Sequence, residues 1–439
     1  MEHIDFDPVK KPSTLETEDA APERAILVSV VLDDGDPLDT DSSLDELEAL
    51  LDTAGGISCG RLIQARQKPE HATYIGTGKL QELAELCLNM DIDLVVFDCE
   101  LSPSQIRNVE SALDGVRVID RTMLILDIFA QNARTGEGIL QVAIANLKYT
   151  LPRLSGQGEG LSRLGGGIGT RGPGETKLEV DRRHVKRKIQ KLEEDLAELA
   201  KKRATQRKSR EKNGLFQIAL AGYTNAGKSS LLNFLCDDSI LAQNKLFATL
   251  DPTTRRLKLP NFGEVLLTDT VGFINRLPHH LVEAFQSTLD EVVYSDLVLM
   301  VMDATDPKFQ QKMHITETIL ADLYEKRGVT PPPLIYVLNK TDLEESRFNT
   351  ASFPKGLDHV CISAKTGKGG DLLIRQIENV LSRAKKRCRF LFPHEEGGKL
   401  SLLYKTANVV QVDYEADGIH VEAVCDEKTR GALSCFLIN

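Results

Sequence analysis

The sequence predicts an α/β protein in several pieces, on three observations. Short apolar runs alternate with amphipathic stretches from residue 25 onward, the pattern of parallel strands joined by helices. A second alternation of this kind opens at Leu215 with a strand, a loop and a helix. Between the two lie a pair of helical stripes separated by a glycine-rich segment. The expected order is a polar, acidic lead (1–24) read as disordered and an N-terminal parallel α/β domain (25–134). A two-helix antiparallel hairpin (135–213), a second and mostly parallel α/β domain (214–388) and a small α+β domain (389–439) follow.

Each element has its own signal. AILVSVVL (25–32) reads as a buried strand and SSLDELEALL (42–51) as an amphipathic helix. A strand in the SCGRLIQA stretch and a helix over 79–89 come next. DLVVFD (93–98) and VRVID (116–120) are strands, with SPSQIRNVESAL (102–113) between them a capped helix. The GTGK at 76–79 is a fragment of a phosphate-binding pattern, read as a strand-to-helix turn. The first domain is expected to end near Ala133.

In the hairpin, Leu140, Ala143, Leu147, Leu151 and Leu154 form one apolar stripe, and Val185, Ile189, Leu192, Leu196 and Leu199 repeat at heptad spacing. Two helices with one apolar face each pack most simply against each other. If helical throughout, 177–212 spans roughly 50 Å at about 1.5 Å per residue. Nine of the 22 residues in 155–176 are glycine, and such loops are functional or serve as flexible linkers. From Leu391 a short helix, VVQVDY (409–414), a turn, IHVEAV (419–424) and a last helix complete the chain.

Composition narrows the class. The chain has 439 residues, 41% hydrophobic and 27% charged, as soluble globular proteins do. It lacks an apolar run long enough for a membrane span and an apolar leader, so no membrane anchor is expected; a monomer and, from cysteines read as reduced thiols, a cytoplasmic location are expected as well. Eight cysteines without a C-x₂-C pair suggest neither a zinc site nor a disulfide framework. The net charge of −11 argues against a nucleic-acid partner, but its distribution does not. Between Asp181 and Arg210 stand 12 Lys/Arg against five Asp/Glu.

Four motifs carry the chemistry. Gly222-Tyr223-Thr224-Asn225-Ala226-Gly227-Lys228-Ser229-Ser230 follows an apolar strand and opens a helix, which is the P-loop in its required context. Its backbone N–H groups cradle phosphates, Lys228 reaches the β- and γ-phosphates, and Ser229 places a hydroxyl on Mg²⁺. Asp269-Thr270-Val271-Gly272 ends a second strand, with Asp269 toward Mg²⁺ and the Gly272 N–H toward the γ-phosphate. Asn339-Lys340-Thr341-Asp342 ends a third. The Asp342 carboxylate can accept both N1–H and the 2-amino group of guanine, a donor pair adenine lacks. Asn339 is expected to brace the loop, and the Lys340 stem to cover the base. Ser363-Ala364-Lys365 closes the set, its Ala364 N–H facing the guanine O6. These motifs describe a P-loop GTPase domain binding GTP and GDP with Mg²⁺. One threonine of FATLDPTTRR (247–256) must reach Mg²⁺, and Thr249, Thr253 and Thr254 all qualify on chemistry.

GYTNAGKSS, FATLDPTTR, DTVGF and NKTD, preceded by YIGTGK and GGGIGTRGPGETKLEVDRR, resemble the HflX family of ribosome-associated GTPases. The likeness covers most of the chain and is weakest in the C-terminal piece. It implies that Phe247, Ala248, Thr249, Leu250 and Asp251 line the nucleotide and that Thr249 joins Ser229 and Asp269 on Mg²⁺. Lys228, Thr249 and Gly272 then form the catalytic set. The large ribosomal subunit, including its RNA, becomes the partner, and separation of stalled or idle ribosomes into subunits the outcome. The glycine-rich loop and adjoining helix (Gly169, Arg171, Gly172, Arg182, Arg183, Lys186, Arg187) are then the ribosome contacts. Asn225 matches a position that coordinates K⁺ in some related GTPases. Phe273 stands where other GTPases carry the glutamine that orients water, so slow intrinsic hydrolysis is expected, with the missing group supplied by the ribosome or another residue; Arg255 and Arg256 are further candidates. Alternative readings are a GTP-gated ribosome-assembly or silencing factor and a GTPase serving RNA modification.

Overall fold

The computed structural model describes residues 21–32, 37–153, 177–212, 215–236, 246–247, 250–274, 286–384, 386–415, 417–425 and 427–438. The chain divides into two compact units. One comprises Met1–Leu199 with Gln243–Asp251 and Asn275–Gln286, and the other Ala200–Ala242, Pro252–Ile274 and Ser287–Asn439.

In the first unit β1 (Arg24–Leu32), β2 (Ile57–Arg66), β3 (Leu94–Phe97) and β4 (Arg117–Asp120) form a parallel sheet in the order β2-β1-β3-β4. Residues 25–28 and 94–97 are buried at every position, as strands covered on both faces must be. Helices α1 (Pro37–Ala54), α2 (Thr77–Met90) and α3 (Pro103–Ala112) connect them. A capping box starts α3, Ser102 and Gln105 each bonding the other's backbone N–H. The GTGK segment opens α2, but residues 67–76 separate it from β2, so it is not a direct strand-to-helix turn. There the Gly76 N–H donates to Gln64 Oε1 at 2.9 Å.

Helix α4 (Arg121–Asn132) has no counterpart among the expected elements. All but one of its residues from Arg121 to Ala130 are buried, so TMLILDIFA shows no helical period to read. Helix α5 (Gly136–Thr150) follows, and α6 (Lys177–Lys212) is one continuous helix of 36 residues. Within α6 the expected seam holds: Ile189 is buried, Val185, Leu192, Leu196 and Leu199 are half-buried, and the basic residues between them are largely exposed. Lys148 of α5 pairs with Glu193 of α6 at 2.7 Å. Leu140, Ala143 and Leu147 are only half-buried, while Val142, Ala145 and Tyr149 make a more deeply buried face. Leu154 and 155–176 lie outside the described residues.

At the C-terminal ends of this sheet the polar groups satisfy one another. Arg121 donates to Asp98 Oδ1 at 2.7 Å, to Ser43 Oγ at 3.2 Å and to Glu46. Asp120 accepts from the N–H groups of Leu101 and Met123, from Arg153 at 3.1 Å and from the Tyr149 hydroxyl.

The second unit holds β5 (Gln217–Gly222), β6 (Thr253–Leu259), β7 (Gly263–Asp269), β8 (Leu297–Asp303), β9 (Leu334–Asn339) and β10 (His359–Cys361), in the order β10-β9-β8-β5-β7-β6. Only β6 runs antiparallel. Its helices are α7 (Lys228–Cys236), α8 (Gln286–Val293), α9 (Phe309–Arg327), α10 (Ser346–Ala351) and α11 (Gly370–Ala384). A separate antiparallel sheet follows, ordered β12-β13-β11-β14, from β11 (Lys386–Phe392), β12 (Asn408–Glu415), β13 (Gly418–Cys425) and β14 (Leu437–Ile438). Strand β11, unforeseen from the sequence, straddles the expected boundary at 388/389. Helices α12 (Gly397–Thr406) and α13 (Glu427–Ala432) belong to the same segment.

Candidate nucleotide site

The six-stranded sheet fixes where its loops meet. Strand β5 lies between β7 and β8, with β9 next, so the residues after β5, β7 and β9 converge at the C-terminal ends of parallel strands, where open α/β sheets bind ligands. All six residues of β5 are buried, which anchors the start of the P-loop. Asn225 and Gly227 take positive φ values of 59° and 92°. At Gly227 the constraint is also steric, since a Cβ there would stand 2.2 Å from Asn339 Nδ2.

Lys228, at the first position of α7, is buried and donates to the carbonyls of Gly222 and Tyr223 at 3.2 and 3.0 Å. Burial pulls its ammonium down to about 8, partly offset by the charge of Asp269. The next residue, Ser229, donates to Asp269 Oδ2 at 2.6 Å. This brings a hydroxyl and a carboxylate from two motifs together, a hard all-oxygen pair of the kind Mg²⁺ takes. Thr270 is turned back into the sheet, its hydroxyl donating to the Leu220 carbonyl at 2.6 Å. Gly272 lies against the P-loop, where a Cβ would be 2.8 Å from both Lys228 Nζ and Thr224 Cα. Phe273 is buried and pairs by backbone with the P-loop: its N–H donates to Gly222, and the Thr224 N–H donates to it at 2.7 Å.

Asn339 joins two loops. Its Nδ2 donates to the Ala226 carbonyl at 2.9 Å and its Oδ1 accepts from the Ala364 N–H at 3.0 Å. That Ala364 N–H, expected to face a base, is thus bonded to Asn339. Lys340, at φ 64°, places its ammonium on Asp303 Oδ2 at 2.6 Å, so its charge is held at one end of the stem. Asp303 was missed in the sequence; the available signal was a carboxylate ending the strand beside the one that carries Asn339. Thr341 is tied to the Ile362 carbonyl. The exposed Asp342 carboxyl lies below the ordinary range, chiefly through a hydrogen bond from Ser363, opposed by desolvation and helped by a backbone hydrogen bond and then by the charges of Lys365 and Lys340. Ser363 is buried, Ala364 half-buried and Lys365 exposed.

The remaining candidates fall elsewhere. Ala248 and Thr249 lie outside the described residues, as do Gly169, Arg171 and Gly172. Phe247, Leu250 and Asp251 belong to the first unit, where Phe247 and Leu250 are buried. Thr254 shares a 3.0 Å hydroxyl contact with Thr268 across β6 and β7, which commits it to the sheet, and Thr253 pairs with Asp269 in the same ladder. Arg256 pairs at its exposed end with Glu264, and Arg255 Nη1 donates to the Thr254 carbonyl. On α6, Arg183, Lys186 and Arg187 are exposed and Arg182 is half-buried. Among the described residues no helix is long and apolar enough to cross a membrane.

Comparison with known proteins identifies the family. Three family models match in succession: "GTP-binding GTPase N-terminal" over residues 41–130, "GTP-binding GTPase Middle Region" over 132–210 and "50S ribosome-binding GTPase" over 217–340. The protein "GTPase HflX" of Caldanaerobacter subterraneus is 49% identical over 420 residues, covering 95% of this chain and 94% of that one. The protein of the same name from Escherichia coli is 39% identical, covering 91% and 92%. Among solved structures, the GDP complex of SsGBP covers 82% of this chain and 99% of its own, at 25% identity and a TM-score of 0.47. With the P-loop, Asp269–Gly272 and Asn339–Asp342 on one sheet and HflX proteins 39–49% identical over more than nine-tenths of the chain, the chain belongs to the HflX family of GTPases and is a GTP-hydrolysing enzyme.

Proposed function

We propose that this GTPase binds the large ribosomal subunit through the basic face of α6 and the glycine-rich segment before it, and uses GTP to separate stalled or idle ribosomes into subunits. The observation that carries the ribosomal reading is the exposed cationic run of Arg183, Lys186, Arg187 and Lys191 beside a half-buried apolar seam on one long helix. Such a face suits a phosphate backbone, with affinity falling as salt rises. In this reading the protein acts as a cytoplasmic monomer.

At the nucleotide site Lys228 holds the β- and γ-phosphates, and Asp342 selects guanine. Ser229, Asp269 and Thr249 would hold Mg²⁺, which when bound neutralises charge on the phosphate oxygens. Water attacks the γ-phosphorus, the bond to the β–γ bridging oxygen breaks, and GDP and inorganic phosphate leave. The Gly272 N–H reports whether the γ-phosphate is present. The Phe273 ring is apolar and buried, so it cannot orient the water, and intrinsic turnover is slow. Asn225 is the residue proposed to hold K⁺; equal turnover in Na⁺ and K⁺ removes it from that role.

The test is GTP turnover with and without large subunits at two salt concentrations, alongside light scattering of pre-formed ribosomes. Stimulation that fades with salt, with GTP-dependent loss of scattering, is expected. Stimulation without loss of scattering favours an assembly or silencing factor. Unchanged turnover overturns the ribosomal assignment.

A further inference from the structure

Strand β8 ends on Asp303, which stands beside Asn339 in the parallel pair with β9. The six residues before it are buried, whereas Asp303 is half-buried. Two groups share its carboxylate. Oδ1 accepts from the Thr305 N–H at 2.9 Å and from the Thr305 hydroxyl at 2.6 Å, a turn on its own chain that fixes the direction of the carboxylate. Oδ2 accepts from the Lys340 ammonium at 2.6 Å. The loop beyond is pinned by Asn349 of α10, whose Nδ2 donates to the Ala304 and Asp306 carbonyls at 2.9 and 2.8 Å.

The backbone around Lys340 is fixed as well. Lys340 takes φ 64°, and both of its neighbours are tied down. Asn339 is bonded to Ala226 and Ala364, and Thr341 donates its N–H and its hydroxyl to the Ile362 carbonyl at 3.1 and 2.8 Å. The freedom that remains lies in the four-carbon stem and its ammonium. Two residues further on, Asp342 is exposed and feels the Lys365 and Lys340 charges. An ammonium is a stronger donor to a carboxylate than a neutral N–H is. A Lys340 set loose would therefore compete with a base for the oxygens of Asp342.

We propose that Asp303 is a positioning residue for guanine selection. By holding the Lys340 ammonium at the end of β8, it keeps both Asp342 oxygens open to the guanine N1–H and 2-amino group. Hypoxanthine has the N1–H and lacks the 2-amino group, so it needs one of those oxygens where guanine needs two. An oxygen lost to Lys340 removes the advantage of guanine over hypoxanthine. This inference rests on the proposed role of Asp342.

The experiment measures affinities of the full-length protein for GDP and inosine diphosphate by calorimetric titration. Asp303→Asn keeps the shape of the side chain and an acceptor for Thr305 but releases the ammonium. GDP affinity is expected to fall roughly tenfold, the size of one hydrogen bond to a charged group, and inosine diphosphate affinity by much less. Asp303→Ser serves if Asp303→Asn does not fold. Adding Lys340→Met removes the competing ammonium and keeps an apolar stem, so the double variant recovers the ratio of the two affinities. Equal losses for both ligands, no change, or a ratio that stays low in the double variant each overturn the inference, since a merely distorted loop would weaken both ligands alike. Asp342→Ala separates the two levels. If it abolishes the preference for GDP while the Asp303 variant keeps it, the inference alone fails. If Asp342→Ala itself keeps the preference, the role of Asp342 fails and the inference with it.

Discussion

The nucleotide-domain sheet and the N-terminal sheet share parallel strands and buried centres, yet the C-terminal ends of their strands are used differently. At β5 and β7 the polar groups stand at the ends of elements: a lysine opening α7 and bonded to carbonyls of its own P-loop, and the serine after it, 2.6 Å from the aspartate that ends β7. After β3 and β4 the polar groups are long side chains that bury one another, Arg121 with Asp98 and Glu46, and Asp120 with Arg153 and Tyr149. In the proposed function the first arrangement offers backbone N–H groups and single charges to a nucleotide. The second consumes its charges internally and fixes the packing of α1, α4 and α5. Architecture supplies the position in both cases, and residue length and glycine content decide whether it becomes a site or a clasp.

Three substitutions test that contrast. Asp342→Ala should weaken GTP and GDP roughly 10²- to 10⁴-fold, at about 1.5–3 kcal/mol for each of two bonds to a charged acceptor, with the unfolding midpoint unchanged. Calorimetric titration checks the first part and denaturant unfolding the second. Arg121→Ala should do the reverse. Stranding Asp98 and Glu46 costs about 3–5 kcal/mol of stability, while GDP affinity of the folded protein stays as it was. If Arg121→Ala weakens GDP before it weakens the fold, the N-terminal edge is not purely internal. The smallest effect is at Tyr149, whose phenol is pushed up by burial first and by the Asp120 charge second. A folded value above the unfolded one means the contribution is full below about 10, the ordinary tyrosine value, and declines as pH rises past it. Unfolding measured from pH 8 to 11 should show that decline, and Tyr149→Phe should flatten it at a cost of about 1 kcal/mol for the lost hydrogen bond.

How legible each region was follows from the range of its interactions. The P-loop, the Asp269 turn, Asn339–Asp342 and Ser363–Lys365 are runs of adjacent residues at strand ends, so their chemistry shows in the sequence. The seam of α6 was legible because one face of an otherwise polar helix is apolar. Helix α4 was not, because burial nearly all round erases the period that marks a helix. Strand β11, KRCRFLF, carries too many charges to stand out, and only its pairing with β13 reveals it. Asp303 was out of reach, since its role depends on a partner 37 residues away.

The Asn339 side chain has a consequence for how ligands are felt. Its amide spends its donor on Ala226 in the phosphate loop and its acceptor on Ala364 in the base loop. Such an amide cannot rotate to favour one loop without breaking with the other. Guanosine and pyrophosphate, offered as separate fragments, therefore meet a single mechanical body. Occupying one half stiffens the other, and the two fragments together bind more tightly than their independent affinities allow.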